Sequence, residues 1–320
     1  MDESFHHSSS ALREQVQSLI KRRSGAGVSR FSIQFGLLVG AALVMSLSFE
    51  HHLGLWALGA ITFALCVCPM FAVGHETIHR TAFSHRSAND IVAIISSTII
   101  FYVPEWFRHF HFAHHRHTHD PKLDPEIAPF GVTTPAFTGS LPMYVAFLSG
   151  IPLVFFKISV MGILALPLPK RLISKHMAYL KPQVVGRAQW QARLCCLFHA
   201  AWFVPGLLWY PGLASVLLAQ LVGHGILASF LIAEHSGLPH EGSVLDRTRT
   251  TNTNTFVRYL MWNMPYHTEH HAYPAVPWHA LPELHTLMQD ELRHAVPGYP
   301  NIHRRARARL VRGKPFVDIS

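Results

Sequence analysis

The sequence predicts an all-α integral membrane protein: four transmembrane helices in two hairpins, interfacial helices, and a histidine-rich helical cap on the cytoplasmic side. Three observations carry that expectation. Charged residues are 14% of the 320-residue chain against 49% hydrophobic, and the mean hydropathy is +0.21, whereas soluble domains carry about 25% charged residues. Apolar runs of spanning length recur in closely spaced pairs. The chain also holds 25 histidines, more than its 18 acidic residues.

Residues 1–30 form a basic N-terminal tail with Arg13, Lys21, Arg22, Arg23 and Arg30. No apolar core followed by a small-residue cleavage site is visible there, so no signal peptide is expected. The stretch 11–20 has mild helical amphipathicity, which suits a helix lying on the membrane as well as a solvated tail. Spans are expected at about 31–49 and 53–73, joined by Glu50-His51-His52, and at 194–210 and 213–233, joined by Pro211-Gly212. The run 91–103 is too short to cross. The run 143–166 is long enough but contains Pro152 and Lys157, which argue against a lipid-exposed crossing. Both read as interfacial or re-entrant. A single catalytic domain is expected over 31–290, followed by a basic C-terminal tail at 291–320.

Orientation follows from the basic loops. The tail and the 167–193 linker, with Lys170, Arg171, Lys175, Lys181, Arg187 and Arg193 and no acid, belong in the cytoplasm; the two hairpin turns lack Lys and Arg. His75, Lys175 and His235 then share one side. The net charge of +9 fits loops facing an anionic membrane surface, and no nucleic-acid partner is expected. Cys66, Cys68, Cys195 and Cys196 sit in apolar stretches without CxxC spacing and read as packing residues.

Three histidine clusters stand out: His75-Glu-Thr-Ile-His79, His111-Phe-Ala-His114-His115 and His267-Thr-Glu-His270-His271. Spacings of three and four put imidazoles on one helix face, one turn apart, as a shared metal requires. His235, where the last span ends, is a ninth candidate. Neutral imidazole suits iron, copper, zinc and nickel alike. Eight or nine nitrogen ligands are too many for one ion and enough for two. Glu76, Glu234, Glu269, Asp120 and Asp124 are candidates to accept the far ring N–H of a ligand histidine. Glu269 and Glu234 are favoured by position, whereas Asp120 and Asp124 read equally well as surface carboxylates. His109, His117 and His119 are candidate supporting residues, and His224 suits a helix–helix hydrogen bond better than a cavity wall.

At these residues the chain resembles the membrane fatty acid desaturase superfamily, which includes hydroxylases and alkane monooxygenases. His75–His79 matches its first box, His111–His115 and His267–His271 its H-x2-3-HH boxes, and Glu234-His235-Ser-Gly237 the extra motif of alkane monooxygenases. The stretch from Asp120 to Glu126 agrees as well, and the resemblance covers roughly 70–285. It implies a non-haem centre of two iron ions, O2 as co-substrate, a fatty acyl or lipid-like substrate, and four spans beneath a cytosolic cap. The chain lacks the His-Pro-Gly-Gly of a fused haem domain and rubredoxin-like cysteine pairs. Electrons are therefore expected from a separate ferredoxin, rubredoxin or cytochrome donor with its reductase, docked against the basic loops. Desaturation is the expected reaction, hydroxylation the alternative. Two other classes compete. His75-Glu76-Thr-Ile-His79 is a literal H-E-x-x-H, as in a zinc protease, but no acidic third ligand is found and two boxes are left over. A metal transporter would place ionisable residues near the bilayer midplane, whereas these clusters lie at or beyond span ends.

Overall fold

A computed structural model describes residues 10–127 and 137–317. The order is α1 (Ser10–Leu19), α2 (Gly25–Ser48), α3 (Leu53–His79), α4 (Arg86–Ile99), α5 (Pro104–His117), α6 (Leu141–Leu148), α7 (Ile151–Ala165) and α8 (Lys170–His176). It continues with α9 (Pro182–Leu208), α10 (Pro211–Ala214), α11 (Val216–His235), α12 (Val244–Arg247), β1 (Thr250–Asn252), α13 (Thr255–Leu260), α14 (His267–Ala272), α15 (Leu281–Met288), β2 (Ala295–Pro297) and α16 (Tyr299–Leu310).

Among the described residues, three helical stretches are long and apolar enough to cross a membrane: Gly25–Ser48, Leu53–His79 and Pro211–His235. The number rises to five if each bent pair is one crossing; α4 and α5 meet at 96°, α6 and α7 at 66°. The expected span at 194–210 is the second half of α9. That helix has 27 residues, but its first half carries Gln183, Arg187, Gln189, Gln191 and Arg193, which keeps it out of the apolar set. The expected linker 167–193 is largely helical too, because Pro169 and Pro182 stand at helix starts, where a missing N–H costs nothing.

Close helix contacts set the bundle. The α2–α3 hairpin tightens at Gly59, which faces Met45 and the Ala41 carbonyl, and α3 meets α11 at Gly223. A Cβ at Gly223 would lie 2.5 Å from Val67 Cγ2 and 2.7 Å from the Ala64 carbonyl oxygen, so glycine alone admits this approach. The outward faces of α2 and α9 expose Leu37, Leu43, Leu47, Leu197, Phe198 and Leu207, an apolar surface that lipid satisfies and water does not. Lys157 is turned inward and buried, with its Nζ 4.0 Å above the Tyr102 ring. Turning inward keeps this side chain off the apolar outer surface of the helix.

The polar segments after α11 close one end of the bundle. Trp262 Nε1 donates to Gln34 Oε1 of α2 at 2.8 Å, and the Arg30 guanidinium lies 4.2 Å from the Trp278 ring and 4.4 Å from that of Tyr259. The strands β1 and β2 pair in parallel, Thr250 opposite Ala295. Residues 291–320 do not form the expected tail over their described part, since Ile302, Ala306 and Leu310 of α16 pack into the same core as the long helices. The amphipathicity of 11–20 likewise has a protein partner. Val16 and Leu19 of α1 join Leu281, Leu284 and Met288 in a second small core.

Candidate metal centre

The end of α3 carries His75 and His79, and Arg80 in the left-handed region (φ 61°) closes the helix just beyond them. His235 is the last residue of α11. α5, started by Pro104 at its first turn, and the short α14 bring the two HxxHH runs to the same end of the bundle. Their nine imidazoles gather into two groups. His75, His79, His111, His115 and His270 form the first, and His114, His235, His267 and His271 the second; within each, the ligand nitrogens lie within 4.8 Å of one another.

The split within each run follows helix geometry. Residues four apart are about 40° apart around an α-helix, and the residue at the third position is turned away from the fourth by about 100°. His111 and His115 therefore face the first group while His114 faces the second. In α14, His267 and His271 face the second while His270 faces the first. Each short helix thus serves both groups.

The donor chemistry fits metal ions. Burial pushes His267, His270 and His271 below the usual histidine range, His270 to about 3, with neighbouring imidazoles adding to the effect. Neutral rings offer one lone pair each. Several outer nitrogens are anchored: His114 Nδ1 donates to Asp124 Oδ2 at 2.9 Å, His235 Nδ1 to the Arg247 carbonyl at 2.9 Å, and His271 Nδ1 pairs with Thr118 Oγ1 at 3.2 Å. The inner nitrogens converge on one another, at 2.8 Å for His111 and His115 and 2.8 Å for His235 and His267. His75 Nδ1 and Nε2, His79 Nε2, His270 Nδ1 and His271 Nε2 are buried without a hydrogen-bond partner. Buried lone pairs aimed at each other are costly unless a cation lies between them.

The acidic candidates separate. Asp124 is the one that meets a candidate ligand ring at hydrogen-bond distance, and it also accepts the His119 N–H at 2.7 Å. Asp120 caps its own turn instead, accepting from the Lys122 and Leu123 N–H groups. Glu76 Oε2 accepts from Thr81 Oγ1 at 2.7 Å and the Trp278 N–H at 3.2 Å, leaving His75 Nδ1 3.8 Å from its other oxygen. Glu269 engages Thr250 and His285 rather than a candidate ligand, and Glu234 stops 3.8 Å from His267 Nδ1. Position beside a ligand in sequence therefore does not by itself bring an acid to the ligand ring, because neighbouring side chains on a helix diverge by about 100°. The Thr118 hydroxyl, the Arg247 carbonyl, Thr250 and His285 carry no local sequence signal.

His109 and His117 join neither group. His119 donates from Nδ1 to the Pro239 carbonyl at 2.8 Å, and His224 bonds within its own helix to the Gln220 carbonyl.

A cavity of about 70 Å³ borders His75 and His111 of the first group and His114 and His267 of the second. Both groups thus face one apolar-walled space.

The family model for fatty acid desaturases matches residues 51–302, a stretch that contains all nine histidines of the two groups. No individual curated protein matches the chain. Histidine runs, helical bundle and family match agree, and the chain belongs to the fatty acid desaturase family.

Proposed function

We propose that the protein is an O2-dependent desaturase that introduces a double bond into a fatty acyl or lipid-like chain at a centre of two iron ions. The five-histidine and four-histidine groups would each hold one ion. Membership of the family supports an oxidoreductase, and the observation that carries the reading is the pair of all-histidine donor groups facing one cavity. The chemistry supplied by bound iron is reduction of O2 coupled to removal of hydrogen from an unactivated C–H bond. Loss of a second hydrogen from the adjacent carbon gives an alkene and two waters, with two electrons and two protons from a separate donor. Oxygen transfer to the first carbon instead gives an alcohol, the second reading.

The chain's residues do the positioning. Asp124 and the Arg247 carbonyl hold His114 and His235 in the tautomer that turns Nε2 inward. The aromatic walls of the cavity orient a bound chain and keep bulk water from the reacting carbon. A larger apolar cavity of about 640 Å³, lined by residues such as Leu38, Phe63, Ile95 and Leu194 and bordered by Ile99 and Pro104 at the turn between α4 and α5, suits a lipid tail. We place the four-span arrangement, with the site on the cytoplasmic side, within this same reading. The donor, of ferredoxin, rubredoxin or cytochrome type with its reductase, would meet a chain of net charge +9, so its turnover should slow as salt rises.

A zinc protease reading fares worse, since Glu76, which would serve as its base, is engaged by Thr81 and Trp278. A transporter reading expects the donors near the bilayer midplane, and these lie at helix ends. Expression in a lipid-producing host followed by untargeted mass spectrometry tests the reaction. A product two hydrogens lighter supports desaturation; one oxygen heavier assigns hydroxylation; no O2-dependent product with two irons bound overturns the reading.

A further inference from the structure

The helix α16 is fastened to the flank of a helix of membrane-spanning length. His303 Nε2 donates to the Ser229 carbonyl of α11 at 3.0 Å, and its Nδ1 accepts from the Tyr144 hydroxyl of α6 at 2.6 Å. The Tyr299 ring meets Phe230 edge-on at 4.6 Å. Ser229 and Phe230 belong to the 25-residue apolar stretch Pro211–His235, about 9 and 7.5 Å short of its end along the axis. That stretch is about 37 Å long, against a hydrocarbon core of about 30 Å. These contacts therefore hold α16 near the edge of the core, at the depth where lipid headgroups begin.

The face that α16 turns outward is basic. Ile302, Ala306 and Leu310 are buried, whereas Arg304, Arg307, Arg312 and Lys314 are exposed. From Tyr299 to Val317 the chain carries six Lys and Arg and no acid. Arg304 Nη2 donates to Asn301 Oδ1 at 2.8 Å. Among the described residues, no carboxylate lies within ion-pair reach of Arg304, Arg307, Arg312 or Lys314. Apolar side chains are exposed on the same elements: Met143 and Val145 on α6, which His303 ties to α16, and Val311 just past α16. The Arg307 charge reaches Tyr144, which places that arginine on the α6 side. Uncompensated cations beside exposed apolar groups, at the edge of the hydrocarbon core, are the pattern of a helix lying in the membrane interface. A water-soluble acidic partner would cover the cations and leave Met143 and Val145 uncovered, whereas a lipid covers both.

We propose that the outward face of α16, with Arg304, Arg307, Arg312 and Lys314, is a binding site for the phosphate-bearing headgroups of anionic lipids. The guanidinium groups take phosphate oxygens in paired hydrogen bonds, and the acyl chains of the same lipids lie on Met143 and Val145. The inference goes beyond the oxidation reading and does not rest on it, since none of these residues belongs to a histidine group.

Photocrosslinking of the full chain in mixed vesicles tests this, with phosphatidylglycerol and phosphatidylcholine probes that carry a diazirine near the headgroup end of one acyl chain. Labelling of residues 141–148 and 299–317 is mapped by mass spectrometry and normalised to the exposed residues Leu197, Phe198 and Leu207 of α9. The phosphatidylglycerol probe should label this region at least about fivefold more than the phosphatidylcholine probe, the value of one basic residue at an anionic surface. Salt at about 1 M should shrink that preference. The combined variant Arg304→Gln, Arg307→Gln, Arg312→Gln should fall to within about twofold of parity, with its melting temperature unchanged. Equal labelling by the two probes in the wild type, or a preference that the folded variant keeps, overturns the proposal. Should the variant fail to fold, the salt series on the wild type decides, and a preference unchanged at about 1 M salt overturns it. Calorimetry with an acidic ferredoxin tests the competing partner: ferredoxin binding lost in the variant while lipid labelling is unchanged would give this face to a protein and overturn the lipid site.

Discussion

The rings of His115 and His271 stack with centroids 4.1 Å apart and planes at 18°, although His115 belongs to the first donor group and His271 to the second. The two groups therefore share a wall, and damage to one is felt by the other. His115→Ala should abolish turnover and reduce bound iron below one ion per chain rather than to one. Iron analysis and single-turnover assays check this, and full iron with full activity in the variant would refute the assignment. His270→Ala, in the first group, should also abolish turnover and lose iron.

Asp124 and Asp120 provide a paired test four residues apart. Asp124→Asn removes the acceptor that fixes His114 and should weaken metal binding about 10–100-fold. Asp120→Asn alters only a turn and should leave metal affinity within about twofold, as expected of a surface change. Competition against a chelator series measures both, and equal effects would sink the role given to Asp124.

Removing the metal should loosen a specific part of the molecule. Nine imidazoles from α3, α5, α11 and α14 converge at the site, and a ligand that binds only the folded state stabilises it by mass action. Chelator treatment should lower the melting temperature and speed hydrogen exchange most in 267–272, the short helix in which three of six residues are candidate ligands. Uniform change across α2 and α14 would contradict this.

Gly223 and Gly162 separate crowded from open helix positions. Gly223→Ala forces a methyl against Val67 and the Ala64 carbonyl and should destabilise by about 1–3 kcal/mol. At Gly162 a Cβ meets nothing within 4 Å, so Gly162→Ala should be neutral or stabilising by up to about 1 kcal/mol. Thermal unfolding in detergent decides between them.

The sequence made much of this readable because its strongest signals are local. His75 and His79, His111 to His115 and His267 to His271 announce themselves by spacing, and α2, α3 and α11 by apolar length. What stayed hidden depends on contacts between distant segments. Which histidines share a group is set by how α5 and α14 lie against each other. Asp124 reaches His114 through the turn that follows α5, whereas Glu269 turns toward Thr250 and His285. The packing of Ile302 and Leu310 onto the bundle was masked by the arginines between them, a solvated stripe on a helix whose other face is buried.

The division of labour inside α5 and α14 also restricts how this chain can change length. Inserting or deleting one residue within either run swings every following imidazole by about 100°, and because both helices feed both histidine groups, neither group would keep its donors together. Substitution can tune this centre gradually, but the two short runs behave as fixed rulers that tolerate no drift in register.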